Sequence, residues 1–410
     1  MKRRTLPIVV LRAGLALCAA LSLAPMRAQA QAQAVAEPAA ATPTAGPAAA
    51  TKLKFTGYVQ GRFEWHADAH DGLDEGGKVL STTQFLVRRA RLKADATSSH
   101  GQAVLQIDAT GKGVVLKDAE ASLTHAAGPA RLKLTVGQFK WPFGYEMVQS
   151  SGERELPDRT RMWKAVFPSE RDRGVRLVVQ HPALSVLVAL VNGNGIEDTL
   201  YLNNDPNAFK DVVGRIQSEF SASWGTVAGG VSGYRGRSLR TKAAVAAKVS
   251  GKDTDGDGKV TGAELSQTAA VPATNERFDI LRLGADLQLT LNVPHVGRLA
   301  LKGEGLFVRD THAASGDGAA DPGKDADMMG WSLLAVQHLP HAFGVVVRVD
   351  GWDPHTNKEA DATTTVGAGL LWAPVPQAKL VAVYERPFAH GATGPAGTSD
   401  AFALQLQGGF

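Results

Sequence analysis

The chain has a single cysteine in 410 residues, Cys18, so no disulfide can form within it. Cys18 lies in MKRRTLPIVVLRAGLALCAALSLAPMRAQA, where Lys2, Arg3 and Arg4 precede an apolar run from Ala13 to Ala24 and Ala28-Gln29-Ala30 offers a small-residue cleavage site. That layout predicts a secretory signal peptide over residues 1–30, and Leu17 stands where a lipidated cysteine would be preceded by a small residue. The mature chain then holds neither disulfides nor cysteine-bound metals. Net charge is also scarce. Lys2, Arg3, Arg4, Arg12 and Arg27 leave with the leader, so 39 basic residues face 40 acidic ones, which excludes a nucleic-acid partner argued from bulk charge. No G-x-S-x-G elbow occurs, and the 11 histidines fall mostly in turns and loops. Long apolar runs are missing as well: nothing after the leader reaches the ~20 residues a membrane helix requires. This last absence leaves membrane-crossing strands open, because alternating segments are invisible to a hydropathy scan.

What is present is alternation. Residues 31–50 are almost wholly Ala, Pro, Gln, Thr and Gly and read as a flexible periplasmic tether. From Leu53, residues Phe55, Gly57, Val59, Gly61, Phe63 and Trp65 alternate with Lys54, Thr56, Tyr58, Gln60, Arg62 and Glu64, and similar runs recur to the last residue. About sixteen such segments can be counted, each long enough for the ~9–11 residues of a tilted membrane strand. Their connections alternate in length. Short ones such as TSSHG (Thr97 to Gly101), QHPAL (Gln180 to Leu184) and APVPQ (Ala373 to Gln377) separate longer ones such as Lys140 to Asp172 and Gly236 to Glu276. The fold class predicted for residues 51–410 is therefore all-β: a transmembrane antiparallel β-barrel with short periplasmic turns and long extracellular loops. Phe402, Leu404, Leu406, Gly408 and Phe410 fall on one face of the last segment, and a terminal aromatic suits an interfacial girdle.

Alternation also assigns a polar face to each strand. Its bases are Lys54, Arg62, Arg89, Arg91, Lys93, Arg131, Lys133, Arg176, Arg215, Arg282, Arg298, Lys302, Arg348 and Lys379. Its acids are Glu64, Asp95, Asp108, Asp118, Glu120, Glu219, Asp286, Glu304, Asp350 and Glu385. The modest basic excess predicts a lumen that favours anions, since Arg and Lys rings select anions in pores. Arg88 and Lys117 fall on the lipid side by the same count, where midplane charge is costly.

Residues 253–264 read as a calcium loop. Asp253, Asp255 and Asp257 supply carboxylates, Gly258 the sharp turn, Lys259 its carbonyl, Thr261 a direct or water-mediated ligand, and Glu264 a closing bidentate carboxylate. The motif lies in the fifth outside loop, residues 241–276, where a structural Ca²⁺ ion would order a long segment. The stretch leading into it, TKAAVAAKVSGK, is a poor helix former.

FLVRRARLKAD (Phe85 to Asp95), LKDAEASL (Leu116 to Leu123), VGQFKWPFGYE (Val136 to Glu146), ERDRGVRL (Glu170 to Leu177), VNGNG (Val191 to Gly195) and KDVVGRI (Lys210 to Ile216) follow one another in that order. Together they resemble the family of phosphate-selective porins of the O and P type. The resemblance implies a sixteen-stranded, usually trimeric, anion-conducting channel of the bacterial outer membrane, bounded by lipid and lipopolysaccharide. It also implies a closing strand whose Phe410 is read by the barrel assembly machinery. It further implies that the third outside loop folds into the barrel as a constriction, carrying Lys140, Arg154, Arg159, Arg161 and Arg171, with Arg173 just beyond. Beyond RRAR, the basic ladder credited with phosphate preference in that family has no residue-by-residue counterpart here. Two other readings stay open on the sequence: a calcium-stabilised surface or adhesion barrel, and a barrel hydrolase.

Overall fold

The computed structural model describes residues 51–67, 83–110, 113–196, 205, 207–242, 246–252, 258, 261–262, 265–270, 272, 274–311, 325–359, 361–390 and 399–410. The strands are β1 (Lys52–His66), β2 (Gln84–Thr97), β3 (Gly101–Thr110), β4 (Gly113–Ala127), β5 (Ala130–Lys140), β6 (Arg171–His181), β7 (Leu184–Val191), β8 (Asp211–Ala222) and β9 (Gly225–Lys242). They continue as β10 (Lys248–Gly251), β11 (Leu265–Thr268), β12 (Thr274–Val293), β13 (Gly297–Thr311), β14 (Ala326–His338), β15 (Phe343–Asp353), β16 (Thr363–Val375), β17 (Ala378–Ala389) and β18 (Ala401–Gly409). All but β10 and β11 form one closed barrel of sixteen strands, each antiparallel to its sequence neighbours. β1 pairs with β18 to close the ring, and Gly57 and Phe410 exchange two backbone hydrogen bonds at the seam. Closure leaves no unpaired edge, the condition for a sheet to sit in hydrocarbon.

The turns at one end span two to four residues (for example 128–129 and 339–342), while the other end carries the long connections. The strands run farther than the alternation suggested. β9 and β12 pair out to Lys242 and Thr274, inside the expected fifth loop, and β10 and β11 form a separate two-stranded sheet within it. Aromatic side chains ring both ends of the outer surface. Trp65, Phe85, Tyr384 and Phe388 lie toward the long loops, and Trp224, Phe343, Trp372 and Phe410 toward the turns; all are exposed.

Arg88 and Lys117 do not face lipid in a regular ladder. The β1–β2 register shifts between Gln60 and Gly61, leaving Arg88 as an extra residue. The β3–β4 register shifts between Gln106 and Ile107 and does the same to Lys117. Each is a β-bulge, which re-aims its side chain. The amide of Gln138 donates to the Leu116 and Lys117 carbonyls that the second bulge releases (2.7 and 2.9 Å).

Inner positions are not uniformly polar. Ala189, Val191, Val213, Ile280, Leu306 and Val308 are buried on the lumen side of β7, β8, β12 and β13. This half of the inner wall is a hydrophobic core, and the third outside loop packs on it.

Candidate functional site: the inner loop and the charges it meets

Residues 141–170 connect β5 to β6 and fold inward. Their apolar members come at two short helices, α1 (Tyr145–Val148) and α2 (Arg161–Val166), and the segments beside them. Trp141, Phe143, Met147, Met162, Trp163, Val166 and Phe167 are buried against the apolar wall. Phe143 meets Trp163 edge-on at 5.8 Å, and Phe167 lies 5.2 Å from Phe143 and 5.5 Å from Trp141. Two glycines on the wall make room: a Cβ on Gly284 would strike the Phe143 ring, and one on Gly330 would strike Met162. A buried carboxylate locks the seat. Glu304 on β13 accepts from the amides of Tyr145 and Glu146 and from Trp163 Nε1 (3.0 Å). Within the loop, the Glu146 carboxylate accepts from the Thr160 amide (3.0 Å) and Oγ1 (2.8 Å), tying α2 to α1.

The polar part of the loop crosses to the opposite wall. Ser151 receives Arg91 Nη1 (2.7 Å) on its hydroxyl, which also shares a hydrogen bond with the Tyr58 hydroxyl (2.6 Å). The Gly152 carbonyl accepts from Lys379 (2.9 Å) and Gln407 (3.2 Å). Asp158 pairs with Arg62 (2.7 Å) and with the bulged Arg88 (3.4 Å). Burial alone would raise the Asp158 carboxyl, but Lys164, Arg62 and Arg88 hold it well below the usual carboxylate range. Burial likewise opposes Glu170, whose carboxyl Arg159 and Arg171 keep well below that range. The loop is thus clamped from both sides, hydrophobically on one and by charge on the other.

The bases expected in the lumen separate into two sets. In the first, a carboxylate neutralises each one. Arg62 meets Asp158, Arg91 meets Asp108 (2.8 Å), and Arg176 meets Glu120 (2.8 Å). Arg215 meets Asp286, Lys302 meets Glu155 (2.5 Å), and Arg348 meets Glu385 and Asp350. Lys93 lies 3.4 Å from Asp95. Among the loop residues, Arg159 pairs with Glu170, and Arg171 with Asp118 and Glu170 (both 2.8 Å).

In the second set, no carboxylate lies in ion-pair range among the described residues. Arg89 donates to the Gln60 side-chain oxygen (3.3 Å). Lys140 donates to the carbonyls of Val148 and Gln149, and Lys379 to those of Gly152 and Arg154. Arg282 lies over the Phe167 and Tyr234 rings. Arg154 is 4% exposed, and its Nε and Nη2 find no hydrogen-bond partner among the described residues. Burial, then the charges of Arg159 and Arg89, push the Arg154 guanidinium down to about 9. A guanidinium stays protonated in proteins, so this one is a buried cation short of counter-charge.

The remaining expected residues sit elsewhere. Lys54, Arg131, Lys133 and Arg298 lie near the turn end, where Lys133 donates to Gln102. Arg161 opens α2. Arg173, in β6, donates to Gln138 (3.1 Å), which faces it in the sheet. Sequence reasoning missed Ser151, Glu304 as the loop's receptor, and Arg88 as a lumen cation; only the unusual run RRAR hinted at the last.

Of the calcium-loop residues, Asp253, Asp255, Asp257, Lys259 and Glu264 lie outside the described residues, and Thr261 is exposed. The flanks are strands. Gly251 pairs with Leu265, so the β10–β11 ladder brings the two ends of the motif together where a helix pair was the usual expectation.

Solved barrels share this architecture at low identity. The anion-selective porin from Comamonas acidovorans superposes with a TM-score of 0.54 at 10% identity, covering 88% of this chain and 100% of that one. OmpT of Vibrio cholerae, in its trimer form, gives 0.53 at 11%, covering 88% and 100%. The outer-membrane channel DcaP of Acinetobacter baumannii gives 0.51 at 12%, covering 88% and 97%. Such likeness shows the fold. No curated protein matches the sequence. Residues 58–287, more than half of the chain, match the family described as Phosphate-selective porin O and P. A closed sixteen-stranded barrel with an inward third loop carries that match, and the chain belongs to this family of porins of the bacterial outer membrane.

Proposed function

We propose that the protein passes small hydrophilic anions by passive diffusion, and that its preference comes from the cations the fold leaves without counter-charge. The observation that carries this is Arg154: a guanidinium borne on the inner loop, beside Arg89 and Arg159, with Nε and Nη2 unpaired among the described residues. Paired arginines such as Arg91 present little net field. An unpaired one in a narrow, low-dielectric passage gains most from a passing anion, which repays its desolvation. Inorganic phosphate is the first cargo to test, given the family; its oxygens suit guanidinium donors. The protein acts as a channel and not as an enzyme. It assembles as a homotrimer, as the neighbouring OmpT does in its trimer form. The deciding experiment is planar-bilayer conductance with the reversal potential read in a salt gradient, then phosphate titrated against chloride current. Anion-directed reversal and phosphate block at millimolar concentration are expected; a cation-directed reversal overturns the proposal.

The fifth outside loop adds a structural calcium site formed by Asp253, Asp255, Asp257, Lys259, Thr261 and Glu264. The full spacing of the motif and the joining of its ends by β10 and β11 support it. Calcium-dependent protection of this loop from protease, lost in Asp255→Asn, is the expected result.

A further inference from the structure

On the long-loop side of the aromatic seat, an open cleft of about 440 Å³ lies between the end of the inner loop, the residues that follow β7, and β12. Its walls are mixed: Trp141, Val166, Phe167, Pro168 and Ile196 give an apolar side, and Ser169, Gly193, Asn194 and Gly195 a polar one. One charged side chain lines it, Arg282. The guanidinium of Arg282 is held between two rings, 4.4 Å from the Phe167 centroid and 4.5 Å from that of Tyr234. No hydrogen bond or ion pair fixes it among the described residues. The acids that act on it, Asp310 and Asp211, stay outside ion-pair range, and Asp211 is occupied by the Tyr234 hydroxyl and the Arg237 amide. Trp141, 3% exposed, brings a second donor whose Nε1 is also unpartnered.

We propose that this cleft is a binding subsite for organic anions with a flat apolar body, of the aromatic carboxylate class, lying above the constriction. The carboxylate would sit on Arg282, whose stacked, rigid guanidinium presents its edge with little further loss of freedom. The ring would lie against the exposed Pro168 and the edges of Trp141 and Phe167 that reach the cleft. Inorganic phosphate has no apolar body to lay against Pro168, so it gains less here than a carboxylate on a ring does. A passage that meets a solute first at this cleft and then at unpaired cations selects for carboxylate or phosphate on a hydrophobic body. The inference rests on the porin reading for its purpose, but the binding itself does not require conduction.

The test uses the full chain in detergent and in planar bilayers, with benzoate as probe and acetate, benzyl alcohol and inorganic phosphate as comparisons. Calorimetry is expected to show benzoate binding at least tenfold tighter than acetate or benzyl alcohol. Arg282→Gln should remove that advantage, and Arg282→Lys should keep most of it. In bilayers, benzoate should reduce current when added on the long-loop side and much less from the turn side. If Arg282→Gln does not fold, the ligand series on the unaltered protein and Arg282→Lys still decide. Equal affinity for benzoate and acetate, or benzoate binding unchanged in Arg282→Gln, overturns the cleft while leaving anion conduction standing. A barrel that binds benzoate yet carries no current overturns the conduction reading and leaves the cleft.

Discussion

The two walls of the lumen face each other across the same loop and are built from opposite chemistry. On β1 to β3 the inward residues are Gln60, Arg62, Arg89, Arg91, Gln102 and Asp108, all buried in a polar network. On β7, β8, β12 and β13 they include the buried apolar Ala189, Val191, Val213, Ile280, Leu306 and Val308, interrupted by the equally buried Asp211, Arg215, Asp286 and Glu304. Strand periodicity is the same on both. The apolar wall holds the inner loop by packing, which is non-directional and tolerant. The polar wall receives the loop's tip through charges whose pairing decides what field remains in the passage. Position and selectivity are thus divided between two sides of one ring.

The harshest way to break this division is to attack the seat. Trp163→Ala removes a buried indole packed on Phe143 and Phe167 and takes a donor from Glu304. Such truncations cost about 3–5 kcal/mol, enough to lift the seated side of the 30-residue loop from its wall. Single-channel conductance should rise several-fold, anion preference should fall, and protease should cut within residues 141–170 while the barrel stays intact.

A finer test sets a paired arginine against an unpaired one. Arg91→Gln leaves Asp108 buried without its cation, and breaking a buried pair costs about 3–5 kcal/mol. Thermal unfolding should move down. Arg154→Gln removes a cation that strands no carboxylate among the described residues. It should leave the melting temperature unchanged or raised, yet reduce the anion-to-cation permeability ratio more than any substitution among the carboxylate-paired residues. If both variants changed selectivity equally, the distinction between the two sets would be wrong.

Acid sharpens the same contrast. The Asp158 and Glu170 carboxyls sit well below the ordinary range in the folded protein. A depressed carboxyl contributes stability that is fully present above the unfolded value, ~4 for these side chains, and is lost as pH falls through the folded one. The loop tip should therefore stay docked at pH 5 and release only well below pH 4, seen as a rise in conductance on acidification. Asp158→Asn should conduct in the released manner already at neutral pH, provided the tip and not the seat sets the opening.

The barrel was legible in the sequence because lipid enforces period two along every strand and turns must be short at one end. The site was only partly legible. Alternation placed Arg91 on the polar face and the resemblance placed Arg154 on the constriction loop, with the same sign and much the same weight. What separates them is pairing across strands and loop, as between Arg91 and Asp108, and sequence distance carries no trace of it. The bulges at Arg88 and Lys117 flip parity at one residue, so a count of alternation places those charges in lipid. The apolar wall escaped for a related reason: Val213 and Val308 obey the alternation while facing inward, and period alone does not say which face is wet.

The smallest expected effect separates an inward loop from an outward one. The fifth loop joins β9 to β12, and its described residues from Lys248 to Gly251 and from Leu265 to Thr268 are exposed. Calcium at ten times its dissociation constant would stabilise the ordered loop by about 1.4 kcal/mol through mass action alone. That is enough to slow proteolysis by roughly tenfold, since each 1.4 kcal/mol is a factor of ten in the population of opened loop. None of that energy is coupled to the seat of the inner loop, which rests on β7 to β9 and β12 to β14. Chelation should accordingly raise the cutting rate of the fifth loop and leave conductance and reversal potential where they were. A shift in reversal potential on adding calcium, at constant ionic strength, would show instead that the outer loop reaches the passage and that the two loops act together.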